Sequence, residues 1–380
     1  MKFKKISLIL FMLIIFTSFF NSKVYCTNAN VEYKAKILEI IELKQEVHEY
    51  EGDKSVNEYQ HVKVKILSKG EYNQKEYEAT YSVSIAGGIS NPLLKKNQEV
   101  YVMIENDGTD VNVVVTDVNR IPYLILICVI FFAVIILIGG KQGLKTIASL
   151  VLTLLAIVYI LIPMIMNGHS AIFASILVCT IISVITLLLV CGRSNKTYVA
   201  IIGTLFGVIV AGILVSIISY LASITGLSNE EAQMLFYITS DLSIDIKGLF
   251  FASILIGTVG ATMDITMSIS SSMSEVASKV KGIQVSELIK SGFVVGKDSM
   301  GTMSNTLILA YVGESLNLIL LLMLNNPNFT SVINSDFIAS EILRGLCGTI
   351  GMISAIPITA ILFGVIYAFK SNNVSKLNDK

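Results

Sequence analysis

The stretch Ile246–Glu275, IKGLFFASILIGTVGATMDITMSISSSMSE, decides the fold of this chain. It begins as an apolar segment long enough to enter a lipid bilayer and runs on, without a proline, into an aspartate and a series of hydroxyl residues. A carboxylate at membrane depth is costly, so Asp264 predicts a functional site inside a membrane-spanning helix.

Composition supports a membrane protein. The 380 residues are 53% hydrophobic and only 15% charged, which is typical of an integral membrane protein rather than a soluble one. The net charge is +0, and no basic cluster is interleaved with aromatic residues, so we expect no nucleic-acid partner. The lipid bilayer is the partner that this composition predicts.

Apolar segments after residue 120 predict seven transmembrane helices within a domain at 120–370, followed by a tail at 371–380. They cover approximately residues 121–139, 144–166, 171–191, 198–225, 246–271, 302–324 and 339–369. The last segment is long and contains Pro357, which predicts a kink or break. Recurring glycines, such as Gly203 with Gly207 and Gly348 with Gly351, predict close helix packing.

The loops predict the orientation. Lys and Arg occur in the loops that follow the first, third and fifth apolar segments, and again in the C-terminal tail, whereas residues 167–170 and 325–336 contain neither. Because cytoplasmic loops are enriched in Lys and Arg, we expect a multi-pass protein of the cell membrane with its N-terminal part outside and its C-terminus in the cytoplasm.

The N-terminal part divides in two. Residues 1–26 place Lys2, Lys4 and Lys5 before the apolar run Ile6–Phe20, which is the layout of a signal peptide or an uncleaved signal anchor. Residues 27–119 carry 10 Lys against 16 Asp and Glu and contain five strand-like runs separated by turn signals. We expect a small all-β extracytoplasmic domain, an OB-like barrel or a sandwich, that is a solvated module without a site of its own.

Two polar strips are candidate binding residues. Asp264, Ser268, Ser271 and Glu275 are spaced 0, 4, 7 and 11 residues apart and share one helix face (the Asp264 strip). Asp298, Thr302 and Asn305 repeat this spacing at 0, 4 and 7 (the Asp298 strip). Because the fifth and sixth segments run in opposite directions, the strips can face each other, and their oxygens suit a monovalent or divalent cation or a proton relay. The alternative is hydrogen-bonded helix packing, with Glu275 pairing with Lys279.

A third cluster and an amphipathic segment accompany the strips. Glu314 lies in the sixth segment, and Glu341 and Arg344 lie at the predicted outer start of the seventh. The three predict a structural ion pair or a gate. Residues Val285 to Phe293 show helical spacing of apolar side chains, so either an amphipathic helix on the inner leaflet or a plain connector is expected.

The sequence contains few of the residues that enzyme active sites commonly use. The only histidines are His48, His61 and His169, all in polar regions, so neither an HExxH metal site nor a buried Ser–His pair is expected. No cofactor is indicated. An intramembrane aspartyl hydrolase would need two carboxylates at one depth, which Asp264 and Asp298 could supply.

The chain resembles the YibE/F-like family of multi-pass bacterial membrane proteins. The resemblance rests on Gly260–Asp264 with Ser268–Ser272, and on GKDSMGTMSNTLIL at Gly296–Leu309, and it extends over residues 120 to 369. It implies an integral membrane protein of this layout and focuses the site on Asp264, Ser268, Asp298, Gly301 and Asn305. It implies no substrate.

Three functional hypotheses follow. The leading one is a permease or ion-coupled transporter whose Asp264 binds a cation or proton, with the other strip residues as oxygen ligands for a small solute or ion. The second is a non-catalytic scaffold or accessory subunit with a membrane protein partner. The third is the intramembrane hydrolase.

Overall fold

The computed structural model describes two compact units, Met1–Val134 and Ile135–Lys380. The described residues are 32–50, 53–85, 89–106, 111–227, 230–238, 245–280, 282–325 and 328–378. The predicted signal segment at 1–26 lies outside them, so the predicted division of the N-terminus stays a prediction.

The first unit contains a closed barrel with the strand order β1-β2-β3-β7-β6. The strands are β1 Glu32–Tyr50, β2 Asp53–Ile66, β3 Glu76–Ser82, β4 Ser84–Ile85, β5 Ile89–Ser90, β6 Glu99–Asn106 and β7 Val111–Val118. The barrel strands pair antiparallel except β3 with β7, which are parallel. This confirms the OB-like barrel and not the sandwich.

Alternation along the strands builds the barrel core. Val62, Val64 and Ile66 of β2 are fully buried, whereas the residues between them are only partly covered, because successive side chains of a strand point to opposite faces. Gln60 closes one edge of this core, since its side chain donates to Leu94 O and accepts from Leu94 N at 3.2 and 2.8 Å.

An ion pair ties the barrel strands together. Lys34 Nζ lies 2.9 Å from Glu99 Oε2, which also accepts from Asn119 Nδ2 at 2.8 Å. The hydrogen bond from Lys34 is the largest influence on Glu99 and holds its pKa below the ordinary range. A lowered carboxylate pKa gives stability above the ordinary pKa that is lost as the pH falls through the folded value. The groups are exposed, so the contribution is small.

The β1–β2 hairpin extends past the barrel as a two-stranded ribbon. β1 pairs with β6 only at residues 32–36, and β2 pairs with β3 from Tyr59 onward, while β1 and β2 pair with each other as far as Tyr50 and Asp53. Ile40, Ile41 and Leu43 of this ribbon are 41–48% exposed.

The remaining elements are helical. They are α1 Ile121–Ala156, a π-helix Ile157–Leu161, α2 Ile162–Met166, α3 Ala171–Cys191, α4 Asn195–Leu221, α5 Glu230–Ile238, α6 Ile246–Lys279, α7 Val285–Glu314, α8 Leu316–Asn325, α9 Phe329–Ile333 and α10 Asp336–Asn378. Among the described residues, 5 segments are long and apolar enough to cross a membrane, or 6 if α7 and α8 form one bent span. The chain is therefore an integral membrane protein.

The predicted number of seven spans is not confirmed. The segment Ile121–Met166 counts as one candidate span, but it contains a non-helical residue, Gly140, with φ 55° and ψ −122°. A Cβ on Gly143 would overlap the carbonyl oxygen of Ile135, so the chain folds back sharply at Gly140. The predicted spans 121–139 and 144–166 lie on either side of this break, and seven spans stays a prediction.

Two local expectations are corrected. The helix α10 runs through Pro357 without ending, so the expected break does not occur there, whereas a kink at Pro357 stays a prediction. Membrane bundles tolerate a proline within a helix. The break occurs instead at Ser315, where α7 and α8 meet at 57°. Residues 285–293 form no separate surface helix either. They are the first turns of α7, with Leu288 fully buried and Ile289 against Gly364 of α10.

The helical core lies where α4, α6 and α10 meet. A Cβ on Gly207 of α4 would lie 2.7 Å from Gly351 O of α10 and 2.8 Å from Thr262 Cγ2 of α6. The backbones of α4 and α10 are thus in direct contact, as the glycine spacing predicts.

Candidate functional site

The helix α6 positions the Asp264 strip along one exposed face. Its first turn is capped by Asp245, whose Oδ1 accepts from Gly248 N at 2.8 Å. Asp264, Ser268 and Glu275 are exposed, and Ser271 is partly covered. The shared face that the sequence predicts is therefore real, but no other helix of the described chain covers it.

The opposite face of α6 carries a second polar set that the sequence reasoning missed. Thr258, Thr262, Thr266 and Ser270 (the hydroxyl ladder) are all fully buried. Each threonine donates to the carbonyl four residues earlier, and Thr266 Oγ1 lies 2.9 Å from Thr204 Oγ1 of α4. The recurrence of a hydroxyl residue every four positions predicts that these side chains share one helix face.

We expect Thr266→Val to lower the free energy of unfolding by about 0.6 kcal/mol, the usual size of a hydrogen bond between membrane helices. Valine keeps the shape but removes the bond to Thr204. The measurement is thermal unfolding in detergent. Thr180→Val is the control, since the Thr180 hydroxyl donates to Ile176 O within its own helix. If the losses of unfolding free energy in Thr204→Val and Thr266→Val simply added in the double variant, the two hydroxyls would not interact.

The Asp298 strip lies on α7, next to α6. Asp298, Gly301, Thr302 and Asn305 are all exposed, and the Thr302 hydroxyl donates to Ser299 O at 3.0 Å. We call the residues of the two strips together the polar face.

The packing of α6 on α7 sets the relative depth of the strips. A Cβ on Gly292 would lie 2.5 Å from Met273 Sδ, and one on Gly296 would lie 3.2 Å from Ile269 Cδ1. The helices are therefore antiparallel, and counting along both places Asp264 at the level of Thr302. Asp298 is one turn away, about 5 Å along the axis, so the two aspartates lie on neighbouring turns, and the intramembrane hydrolase stays a prediction.

Charges are unevenly paired on the polar face. Glu275 Oε1 lies 2.8 Å from Lys279 Nζ, which is the ion pair that the spacing predicts. Asp264 takes part in none of the ion pairs or hydrogen bonds found among the described residues. Nor do three His, Cys, Asp or Glu side chains come together there as a metal site, so any cation would depend on hydroxyl and amide oxygens beside the carboxylate.

The third cluster is only partly assembled. Arg344 Nη1 lies 3.4 Å from Glu341 Oε1, with the two side chains 14% and 19% exposed. The guanidinium also lies over the rings of Phe250 and Tyr311, at 5.5 and 6.0 Å from their centroids. Glu314 is exposed and makes no ion pair with Arg344 within the described chain.

Tyr311 links this cluster to the polar face. Its hydroxyl fits against Gly257 of α6, where a Cβ would lie 2.5 Å away, and its ring borders a cavity of about 180 Å³ that Glu341 also lines. Gly257 lies two turns before Asp264 on the same face, about 10 Å along the helix. Tyr311 therefore covers the end of the polar face that is farther from the 280–284 loop.

A family model described as YibE/F-like protein matches residues 127–369, well over half of the chain. The chain belongs to the YibE/F-like family. The match includes both strips and the Glu341–Arg344 pair of this YibE/F-like protein and leaves the barrel outside. It confirms the resemblance that the two glycine-containing motifs predict. A search of curated proteins and a search of solved structures found no match.

Proposed function

We propose that this YibE/F-like protein is a permease or ion-coupled transporter of the cell membrane that binds a cation or proton at Asp264. The observation that supports the proposal is Asp264 itself: a carboxylate within a candidate span, exposed on a polar face, that makes no ion pair in the described chain. Retaining such a charge without a structural partner is costly unless it binds something.

The surrounding oxygens define what would bind. Ser268 lies one turn from Asp264 on α6, and Thr302 and Asn305 lie near the same depth on α7. One carboxylate with hydroxyl and amide oxygens suits a hard cation, which prefers oxygen ligands. Ser271, Glu275 and Asp298 lie nearer the connection between α6 and α7 and would attract the ion on its way in.

The orientation follows from the positive-inside rule. With the 280–284 loop in the cytoplasm and the barrel outside, the polar face opens inward. Tyr311 and the Glu341–Arg344 pair then lie toward the outer side. We assign the pair a structural role and Tyr311 the closure of the outer end.

We expect Asp264→Asn to abolish cation-dependent stabilisation. A cation at 100 times its Kd stabilises the folded protein by about 2.7 kcal/mol, so one of Na⁺, K⁺, Mg²⁺ or Ca²⁺, or a narrow pH range, should raise the melting temperature of the wild type and not of the variant. Glu71→Gln removes an exposed carboxylate of the barrel, outside the membrane helices, and should behave as the wild type. Flux of the same ion into proteoliposomes is the second measurement. Equal melting shifts in wild type and Asp264→Asn, with no flux, would overturn the proposal.

A scaffold or accessory subunit is the second candidate. It is favoured by the exposure of Asp264, Ser268, Thr302 and Asn305 in the described chain, because a helix of a partner protein could cover them. Under this hypothesis Asp264→Asn leaves cation response and flux unaffected, and the protein copurifies with a stoichiometric partner.

A further inference from the structure

We infer that a second binding site, for the ammonium group of a small organic cation, lies at the end of the helix bundle opposite the 280–284 loop. A cavity of about 590 Å³ opens there, which is within the usual size range of small-molecule sites. Its polar and aromatic lining comes from the segment after α4, from α9 with the residue that follows it, and from the start of α10: Ser223, Thr225, Phe329, Thr330, Asn334 and Asp336.

The cavity is separate from the Asp264 site. Gly226 follows the lining residue Thr225, and a Cβ on Gly226 would lie 3.0 Å from Lys247 Cα, at the start of α6. Asp264 lies 17 residues further along the same helix, which is about 25 Å along its axis. The cavity therefore goes beyond the site that the proposed function uses.

Asp336 gives the cavity a negative charge in a fixed position. Its Oδ2 accepts from Thr225 Oγ1 at 2.5 Å and its Oδ1 accepts from Thr225 N at 3.4 Å. A carboxylate can accept about four hydrogen bonds, so positions remain for a ligand. Asp336 makes no ion pair within the described chain, and none of the described residues that line the cavity is basic. The site therefore favours a cation.

The helix ends around the cavity do not change this sign. The helix α4 ends at Leu221, and its C-terminal end carries a partial negative charge. The helix α10 begins at Asp336, and its N-terminal end carries a partial positive charge of similar size. The two ends largely offset each other, so the Asp336 carboxylate determines the potential in the cavity.

The apolar part of the lining favours an organic cation over a metal ion. Ala222, Ile333 and Ala339 also line the cavity, and no three His, Cys, Asp or Glu side chains of the described chain come together as a metal site. An ammonium group is attracted to the face of an aromatic ring, and Phe329 supplies a ring that is 70% exposed. The ligand that fits combines one ammonium group with a short carbon skeleton.

A single tryptophan tests the site directly. The chain contains no tryptophan, so Phe329→Trp places the only one at the cavity and keeps an aromatic ring there. We expect choline and ethanolamine to change its fluorescence saturably in detergent, whereas the neutral analogue of choline, with carbon in place of nitrogen, should not. Phe206→Trp is the matched control, since Phe206 is exposed on α4 away from the cavity, and it should give no response.

Asp336→Asn, made in the Phe329→Trp protein, tests the carboxylate. Asparagine keeps the shape and an oxygen for Thr225, but the loss of a hydrogen bond between two charged groups should weaken choline binding at least about tenfold. Glu71→Gln removes an exposed carboxylate of the barrel and should leave choline binding unchanged. Equilibrium dialysis of radiolabelled choline with the wild type shows whether the reporter itself alters the site.

Three results would overturn the inference. They are the absence of saturable binding of choline and ethanolamine by both methods, equally tight binding of the neutral analogue, and unchanged choline binding in Asp336→Asn. Choline binding by Asp264→Asn, with no cation response in the wild type, would keep the cavity and remove the transporter. A cation response that needs Asp264, without choline or ethanolamine binding, would do the reverse.

The source of the ammonium group is distinguished by lipid composition, because phosphatidylethanolamine carries the same group. Choline binding that is blocked in nanodiscs of phosphatidylethanolamine, and not in nanodiscs of phosphatidylglycerol, would assign the cavity to the lipid headgroup. Equal choline binding in both would assign it to a free solute.

Discussion

Gly207→Ala is expected to destabilise the protein by about 1–3 kcal/mol, the usual cost of an added methyl group in a well-packed core. The new Cβ would lie 2.7 Å from the carbonyl oxygen of Gly351 and 2.8 Å from Thr262 Cγ2. The first neighbour is backbone and cannot rotate away, so α4 must separate from α10. Thermal unfolding in detergent, with the yield of monodisperse protein, measures the effect.

Gly212→Ala is the matched control on the same helix. A Cβ there would meet only Leu255 Cδ2, at 3.4 Å, which is the end of a flexible side chain. Because alanine favours a helix over glycine by about 1 kcal/mol, this variant should be neutral or slightly stabilised. Equal destabilisation of Gly207→Ala and Gly212→Ala would show that α4 and α10 are not in backbone contact.

Arg344→Met is expected to cost more, about 3–5 kcal/mol, since it leaves Glu341 as an uncompensated buried charge. Glu341 is only 19% exposed, and Arg344 Nη1 is its ion-pair partner at 3.4 Å. Methionine keeps much of the apolar stem of Arg344, so the loss comes from the charge and from its contacts with Phe250 and Tyr311. The measurement is again thermal unfolding, repeated at several pH values.

The double variant Glu341→Gln with Arg344→Met separates charge from packing. Removing both charges should recover most of the stability, because a neutral pair carries no such penalty. Lys279→Met breaks the exposed Glu275–Lys279 pair and should change stability by less than about 1 kcal/mol. If Arg344→Met were as mild as Lys279→Met, Glu341 would be hydrated and the cluster open to water.

Much of the fold could be predicted because its signals are local. Apolar length predicts membrane helices, and alternation such as Val62, Val64 and Ile66 predicts strands with one buried face. The order of the barrel strands required the structure, since alternation shows which side chains point inward and not which strands are neighbours. The parallel pairing of β3 with β7 has no local signal.

The breaks in the helices were harder to predict. Pro357 suggested one, yet α10 continues through it, whereas the chain bends at Ser315 and reverses at Gly140. A proline inside a helix changes one hydrogen bond, and neighbouring helices decide whether the helix continues. Glycine and serine allow a bend without requiring it, so their sequence positions carry little information.

The candidate site shows the same limit. Helical spacing correctly predicted that Asp264, Ser268 and Glu275 share a face, because periodicity is a property of one helix. It could not show that this face is uncovered while Thr262 and Thr266 are buried. Both faces of α6 are polar, and only the positions of α4 and α10 distinguish packing hydroxyls from exposed ones.

The two-stranded ribbon that extends from the barrel has a consequence for how this protein can diverge. Strand edges bind an added strand through backbone N–H and C=O groups, which every residue except proline supplies. A partner that extended the ribbon would therefore constrain its length, its register and the placement of charges, but few side-chain identities. Such an interaction would tolerate most substitutions in the ribbon, provided that the register of its strands is kept.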